Sequence, residues 1–182
     1  MMDLSSYNNK HYNPGNIFKR SIWYFANLIF IKNPWIPSSA IKKSVLVLFG
    51  AKIGKGVVIK PSVNVKYPWN LKIGHHVWIG EGVWIDNLGK VEIKNNVCIS
   101  QGAMLLTGNH NYKKETFDLI VKDILLEDGV WIGAKSVVCP GVHCGVNSIL
   151  TAGSIATNHL NSDMIYQGNP ATEIRKRSID EG

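Results

Sequence analysis

The stretch Ile73-Gly74-His75-His76-Val77-Trp78-Ile79-Gly80-Glu81-Gly82-Val83-Trp84-Ile85 decides the fold, because an aliphatic residue returns at every sixth position. Toward the N-terminus, after a two-residue insertion, the same step holds at Ile53, Ile59 and Val65. Toward the C-terminus it holds at Ile93, Ile99 and Leu105. After a longer gap it resumes at Leu126, Ile132, Val138, Cys144, Leu150 and Ala156. Thirteen of these fifteen positions are Ile, Leu or Val, which make up 50 of the 182 residues, so chance would place about four. The residue after the aliphatic one is Gly at Gly54, Gly74, Gly80, Gly133 and Gly145. Four residues after it the side chain is often small or β-branched, as in Val57, Val77, Val97, Ala103, Ser136, Ser148 and Ser154.

Short strands joined by sharp corners produce this pattern. The aliphatic side chain points into a narrow core, and the corner admits only small or conformationally permissive residues. Three hexads close one triangular coil, and the offsets from Ile53 to Ile73 to Ile93 are one such coil plus two corner residues. The expectation is an all-β fold, a parallel β-helix of hexapeptide repeats, with a short N-terminal helical segment. No run of 3.6-residue periodicity interrupts 51–160, which excludes an alternating α/β architecture.

Three segments follow: a helical cap over 1–50, the coil over 51–162 with an inserted loop at 107–123, and a C-terminal segment over 163–182. In the cap, Asn16 to Lys32 reads as an amphipathic helix that Pro34 and Pro37 end. Ser38 or Ser39 caps a second helix running to about Phe49 and stopping at Gly50. Both are expected to cover the open end of the first coil. Their alternative use is contact with a membrane surface, with Lys19, Arg20, Lys32, Lys42 and Lys43 near anionic lipid. The C-terminal segment is read as a short strand or turn at 164–170 followed by a charged tail.

The net charge is +7, with Lys and Arg scattered along the chain in small groups. No dense basic stripe with interleaved aromatics is present, so nucleic-acid binding is not expected. A phosphate-bearing cofactor or an anionic membrane explains the charge at least as well. Cys98, Cys139 and Cys144 are odd in number and lack a C-x-x-C spacing, which speaks against a disulfide framework or a zinc knuckle. The most apolar stretch, Ile22 to Ile31, is half of what a membrane span requires, roughly 20 residues. With no signal peptide evident, the expectation is a soluble cytoplasmic protein.

The six-step is broken once, where about 15 residues between Leu105 and Leu126 leave the coil. This loop opens with Thr107-Gly108-Asn109-His110-Asn111-Tyr112, and His110 is the one histidine beside such an insertion. An inserted loop on a rigid repeat is where function is expected. Asp86 and Asn87 place two polar groups near a corner and, with Asn109, are the expected acceptor contacts. Trp78, Cys98 and Trp131 stack on one wall and Trp84 and Met104 on the next, an apolar stripe expected at an interface between chains.

The repeats, the Thr107–Tyr112 segment, Val130-Trp131-Ile132-Gly133-Ala134, Ala152-Gly153-Ser154 and Gly168-Asn169-Pro170-Ala171 resemble the hexapeptide-repeat O-acetyltransferases. The whole chain is most similar to the branch placed in colanic-acid and other exopolysaccharide biosynthesis. The resemblance implies a left-handed β-helix, a homotrimer, and acetyl-CoA as donor in a groove between neighbouring chains. His110 matches the catalytic histidine. Trp131, Gly133 and Ala134 match the segment lining the acetyl pocket, and Ala152, Gly153 and Thr157 the wall along which pantetheine runs. Arg175 matches a basic residue near the nucleotide phosphates. Where several relatives carry a Lys after that Thr, this chain has Asn158, and Lys176 or Arg177 would have to replace it.

The chemistry asks for these groups. A sugar hydroxyl attacks a thioester at neutral pH only with a base within about 3 Å. An imidazole, with an ordinary pKa of about 6.5, is mostly unprotonated at pH 7 and can return the proton to the leaving thiolate. Backbone N–H groups near Gly133–Ala134 are expected to hold the oxyanion. Rival readings are N-acetylation of an amino-sugar nucleotide and a non-catalytic scaffold. A zinc hydratase on the same coil would need an H-x4-H pair, and the residue five beyond His110 is Glu115. No metal is expected.

Overall fold

Each hexad folds as a strand of two or three residues followed by a sharp corner, and three of them close a turn of a β-helix. The computed structural model describes residues 2–178; Met1 and the end of the expected charged tail, 179–182, lie outside the described residues. The first wall stacks Lys52–Ile53, Leu71–Ile73, Val91–Ile93, Ile124–Leu126 and His143–Cys144. The second stacks Val58–Ile59, Trp78–Ile79, Cys98–Ile99, Trp131–Ile132 and Ile149–Leu150. The third stacks Asn64–Val65, Trp84–Asp86, Met104–Leu106, Val137–Val138 and Ile155–Ala156. Every pairing within a wall is parallel and keeps the hexad register, as in Trp78↔Cys98↔Trp131.

The stacked Ile, Val and Leu form one continuous core with essentially no exposure. Burying each such side chain fully contributes roughly 2–3 kcal/mol. The corner glycines follow from the tightness of the stack. A Cβ on Gly133 would stand 2.4 Å from the Ala152 nitrogen in the coil above. Gly153, one coil on, has φ +70°, which glycine adopts at no steric cost.

The first coil leaves a row of unpaired backbone groups, and the cap meets them with side chains. Helix α1 (Ile17–Ala26) is capped by Asn16, whose Oδ1 accepts from the Phe18 and Lys19 N–H groups. A single π turn, Asn27–Ile31, extends it in place of the continuous helix expected to Lys32. That turn points Asn27 inward, where its Nδ2 donates to Asn64 Oδ1 at 2.8 Å. Trp23 Nε1 donates to the Val65 carbonyl at 3.1 Å. Helix α2 (Ser39–Leu48) places Ser39 Oγ to accept from Ile59 N–H at 2.9 Å. Lys42, expected to face lipid, is 0% exposed, and its ammonium donates to the Ile36 carbonyl. It is therefore part of the cap's interior and is withdrawn from the membrane reading.

At the far end the C-terminal segment does more than make a turn. Met164–Gly168 joins the second wall in parallel, and Ala171–Lys176, expected in the tail, folds back antiparallel on it. This adds two strands to the edge that the last coil would otherwise leave open. Among the described residues no helix is long and apolar enough to cross a membrane.

Candidate active site

The inserted loop is a β-hairpin, Gly108–His110 paired with Leu119–Val121. It leaves the coil at the edge where the third wall turns into the first. Thr107 fixes its base, donating from N–H and Oγ1 to the Asp86 carbonyl at 3.2 and 2.9 Å. His110 closes the first strand, partly buried. Its Nδ1 lies 3.0 Å from the Phe117 carbonyl. A carbonyl oxygen only accepts, so Nδ1 carries the hydrogen. The neutral ring then presents Nε2 with a free lone pair. The Phe117 ring lies flat against the imidazole, 4.4 Å between centroids and 4° between planes. Asn109 Oδ1 accepts from the His110 N–H at 2.8 Å and so fixes the backbone beneath the imidazole.

A contact set that sequence reasoning missed holds this hairpin. The chain before α1 runs along it as a strap. Asp3 N–H donates to the Glu115 carbonyl at 3.0 Å, and His11 Nε2 bonds the Leu119 carbonyl at 2.8 Å. Tyr12 Oη donates to the Leu88 carbonyl at the hairpin base at 3.0 Å. The Tyr7 ring stands 5.8 Å from the His110 ring. Only the polar, Asn-rich composition of 3–13 hinted at a segment without a core of its own.

The residues expected to hold the donor divide between several places. Gly133, Ala134, Ala152 and Gly153 form one corner, between the second and third walls. That corner is a ladder: Gly102 N–H to Glu81 O at 2.8 Å, Lys135 N–H to Gln101 O at 2.9 Å, Gly153 N–H to Ala134 O at 2.8 Å. Outside Gly153 the space is open, with nothing within 4 Å of where a Cβ would stand, so a ligand can lie against bare backbone. Gly133 N–H is spent on the Leu150 carbonyl at 2.7 Å, which withdraws it as an oxyanion donor. Ala134 N–H meets no acceptor among the described residues. Trp131 stands on the second wall, its Nε1 donating to Ser100 Oγ at 2.9 Å. Arg175 lies in the same column three strands up, roughly 14 Å away. Thr157 sits on the opposite edge of the third wall, above the hairpin. Arg177 donates from Nη1 to the Gly129 and Asn147 carbonyls at 2.9 and 3.0 Å, which leaves Lys176 the freer of the two to replace the missing Lys. Lys176 is exposed at the end of its strand.

Of the expected acceptor contacts, Asn87 is a correction. It is 0% exposed, accepts from Tyr67 N–H at 3.0 Å and donates to Tyr67 O at 2.6 Å. Both ends of its amide clasp the coil below, so it has no surface to offer a sugar. Asp86 is half-buried with Lys66 Nζ at 3.9 Å. Burial pushes its carboxyl above the usual range, and Lys66 pulls it part of the way back. A cleft of about 440 Å3 that the sequence did not reveal opens on the second wall, directly below Trp131. Trp78, Cys98, Ser100, Gln101 and Glu81 line it. A second cleft, about 460 Å3, lies between α1 and the third wall and includes neither His110 nor the glycine corner. The thiols are poor nucleophiles: burial pushes Cys98 and Cys139 up, and Cys144 up to about 12.

No family profile matches the chain, but individual relatives do. It is 34% identical over 180 residues to WcaF of Escherichia coli K12, named for acetyl transfer in colanic acid biosynthesis, covering 97% of this chain and 98% of that one. It is 30% identical to the galactoside O-acetyltransferase of Escherichia coli K12 over 145 residues, 77% of this chain and 71% of that one. Among solved structures, a galactoside acetyltransferase in complex with coenzyme A superposes with a TM-score of 0.78 at 25% identity, over 88% and 82% of the two chains. A hexapeptide-repeat acetyltransferase of Vibrio cholerae, VCA0836 with acetyl coenzyme A, shares the fold at TM-score 0.82 and 21% identity, over 96% and 97%. Repeat, hairpin histidine and near full-length identity together make this chain a member of the hexapeptide-repeat acetyltransferase family.

Proposed function

We propose that the protein is a cytoplasmic O-acetyltransferase that moves the acetyl group of acetyl-CoA to a hydroxyl of a sugar or saccharide intermediate in surface polysaccharide synthesis. The observation that carries this reading is the 3.0 Å contact of His110 Nδ1 with the Phe117 carbonyl, which makes Nδ1 the donor and leaves Nε2 free to act as base. The acceptor hydroxyl loses its proton to Nε2 as its oxygen attacks the thioester carbonyl carbon. The oxyanion takes a hydrogen bond from Ala134 N–H. When the C–S bond breaks, the imidazolium returns the proton to the thiolate, and ester and free CoA leave. No acetyl-enzyme forms, in keeping with thiols that burial holds protonated.

The hairpin base and the glycine corner stand on opposite edges of the third wall, roughly 20 Å apart along the strand path. One chain therefore supplies the base at one edge and the donor groove at the other. A homotrimer in which His110 of one copy faces the glycine corner of the next completes the site. The apolar stripe Trp78, Trp84, Met104 and Trp131 would lie between copies. Arg175 and Lys176 reach the nucleotide phosphates, while Trp131, Ala134, Ala152, Gly153 and Thr157 flank the pantetheine and acetyl group. The cleft under Trp131 is where the acceptor would bind, with Ser100, Gln101 and Glu81 as hydrogen-bonding groups. Asp86 and Asn109, beside the hairpin, remain candidate contacts.

The test is incubation with acetyl-CoA and saccharide acceptors, reading released CoA thiol and the gain of one acetyl mass. Release of thiol without an acetylated acceptor, or acetyl trapped on a cysteine, would count against the mechanism. Sedimentation equilibrium should report three chains, and a monomer with full turnover would remove the shared site.

A further inference from the structure

Two features of the cap serve neither the coil nor the active site. The first is apolar surface turned away from the body. Trp23, Asn27 and Ile31 form the inner side of α1 and its π turn. Phe18, Ile22, Phe25 and Ile29 stand on the opposite side, all exposed, with Phe18 at 75%. Trp35, in the link to α2, is 88% exposed. On α2, Leu46 and Lys42 are buried while Ile41 and Leu48 face out. The second feature is charge. Residues 4–80 contain eleven Lys and Arg and no Asp or Glu, whereas 81–182 contain nine and twelve. In sequence the cations look scattered. The fold gathers them, because 4–80 build the strap, the cap and the lowest coils, so the capped end is basic and the far end is not.

We propose that the outer face of the cap docks on an anionic lipid bilayer. Phe18, Ile22, Phe25, Ile29 and Trp35 enter the boundary between headgroups and acyl chains, and Lys32 and Lys43 lie at the lipid phosphates. Helix α1 has ten residues, so the contact is in the plane of the surface and does not span it. The charge decides between occupants. A second copy brought face to face would oppose two acid-free basic surfaces, which repel. An anionic bilayer offers an apolar interior and negative charge together, each basic residue near the surface being favourable. The proposal is independent of acetyl transfer.

The test is co-sedimentation of the full-length protein with vesicles of phosphatidylcholine containing about 30% phosphatidylglycerol, against phosphatidylcholine alone, at about 0.1 M salt. Binding should be at least tenfold stronger to the anionic vesicles and should weaken with added salt. The triple variant F18S/F25S/W35S changes only exposed side chains and should lose at least tenfold with unchanged circular dichroism. The charge variant K32E/K43E should lose binding and its salt dependence together. Wild-type protein that stays in the supernatant with anionic vesicles overturns the proposal, as does a triple variant that binds like wild type. A triple variant whose sedimentation equilibrium mass changes instead would make this face a contact between copies, which also overturns it.

Discussion

The coil and the hairpin it carries are held in opposite ways. In the coil each strand is bonded to its neighbours one turn away, as Trp131 N–H is to Ser148 O at 3.0 Å and, across the excursion, Cys98 N–H to Val130 O at 3.0 Å. Its side chains share one dry core. The hairpin carrying His110 has mostly exposed or half-buried side chains, and a strap from the other end of the chain fastens it. His11 reaches Leu119 across 108 positions. Stiffness thus comes from repetition, and the placement of the base comes from a few long-range contacts. Damage to the coil should appear as lost stability, and damage to the hairpin as lost turnover.

The largest separation of the two is expected at His110. His110→Ala should lower kcat by about 10²–10⁴-fold with acetyl-CoA affinity nearly unchanged, because the base acts in the transition state. Thermal unfolding should not move, since the imidazole carries no part of the core. A variant with ordinary turnover would take His110 out of its role. In the coil the complementary change is Ile132→Ala, which empties a fully buried position and should cost about 2–5 kcal/mol. Denaturant unfolding measures that, and activity per folded molecule should stay near wild type.

Asn87 sharpens the comparison, because the sequence suggested a sugar contact and the structure shows a clasp. Asn87→Ala leaves the buried Tyr67 N–H without its acceptor, while the Tyr67 carbonyl keeps Asn70 N–H, so a loss of about 1–3 kcal/mol is expected with KM for the acceptor unchanged. A raised KM in a fully stable variant would restore the sugar contact. The smallest effect is expected from the strap. Tyr7→Ala removes a ring beside the imidazole and should reduce kcat about tenfold by loosening the hairpin, without lowering the melting temperature. Tyr7→Phe keeps the ring and should recover the rate. If Tyr7→Ala instead destabilises the whole protein, the strap belongs to the coil's cooperative unit and the contrast between the two regions fails.

The sequence by itself determined the coil. Away from the excursion and the last turn, contacts there join residues eighteen or twenty apart, and the same rule repeats turn after turn. Ile73, Ile79 and Ile85 announce the register, Gly133 the tight corner, and the gap after Leu105 the excursion. Periodicity makes a three-dimensional contact visible in one dimension. Only the tertiary structure decided what has no period. The free nitrogen of His110 depends on the Phe117 carbonyl across a turn, and the hairpin's footing on Asp3, Tyr7, His11 and Tyr12. Asn87 and Lys42 are polar residues that no pattern marks as interior, and they turn inward to meet a backbone group, the Tyr67 N–H and the Ile36 carbonyl. Each of these rests on contacts made at one place in the fold, and a contact made once leaves no repeat in the sequence to read.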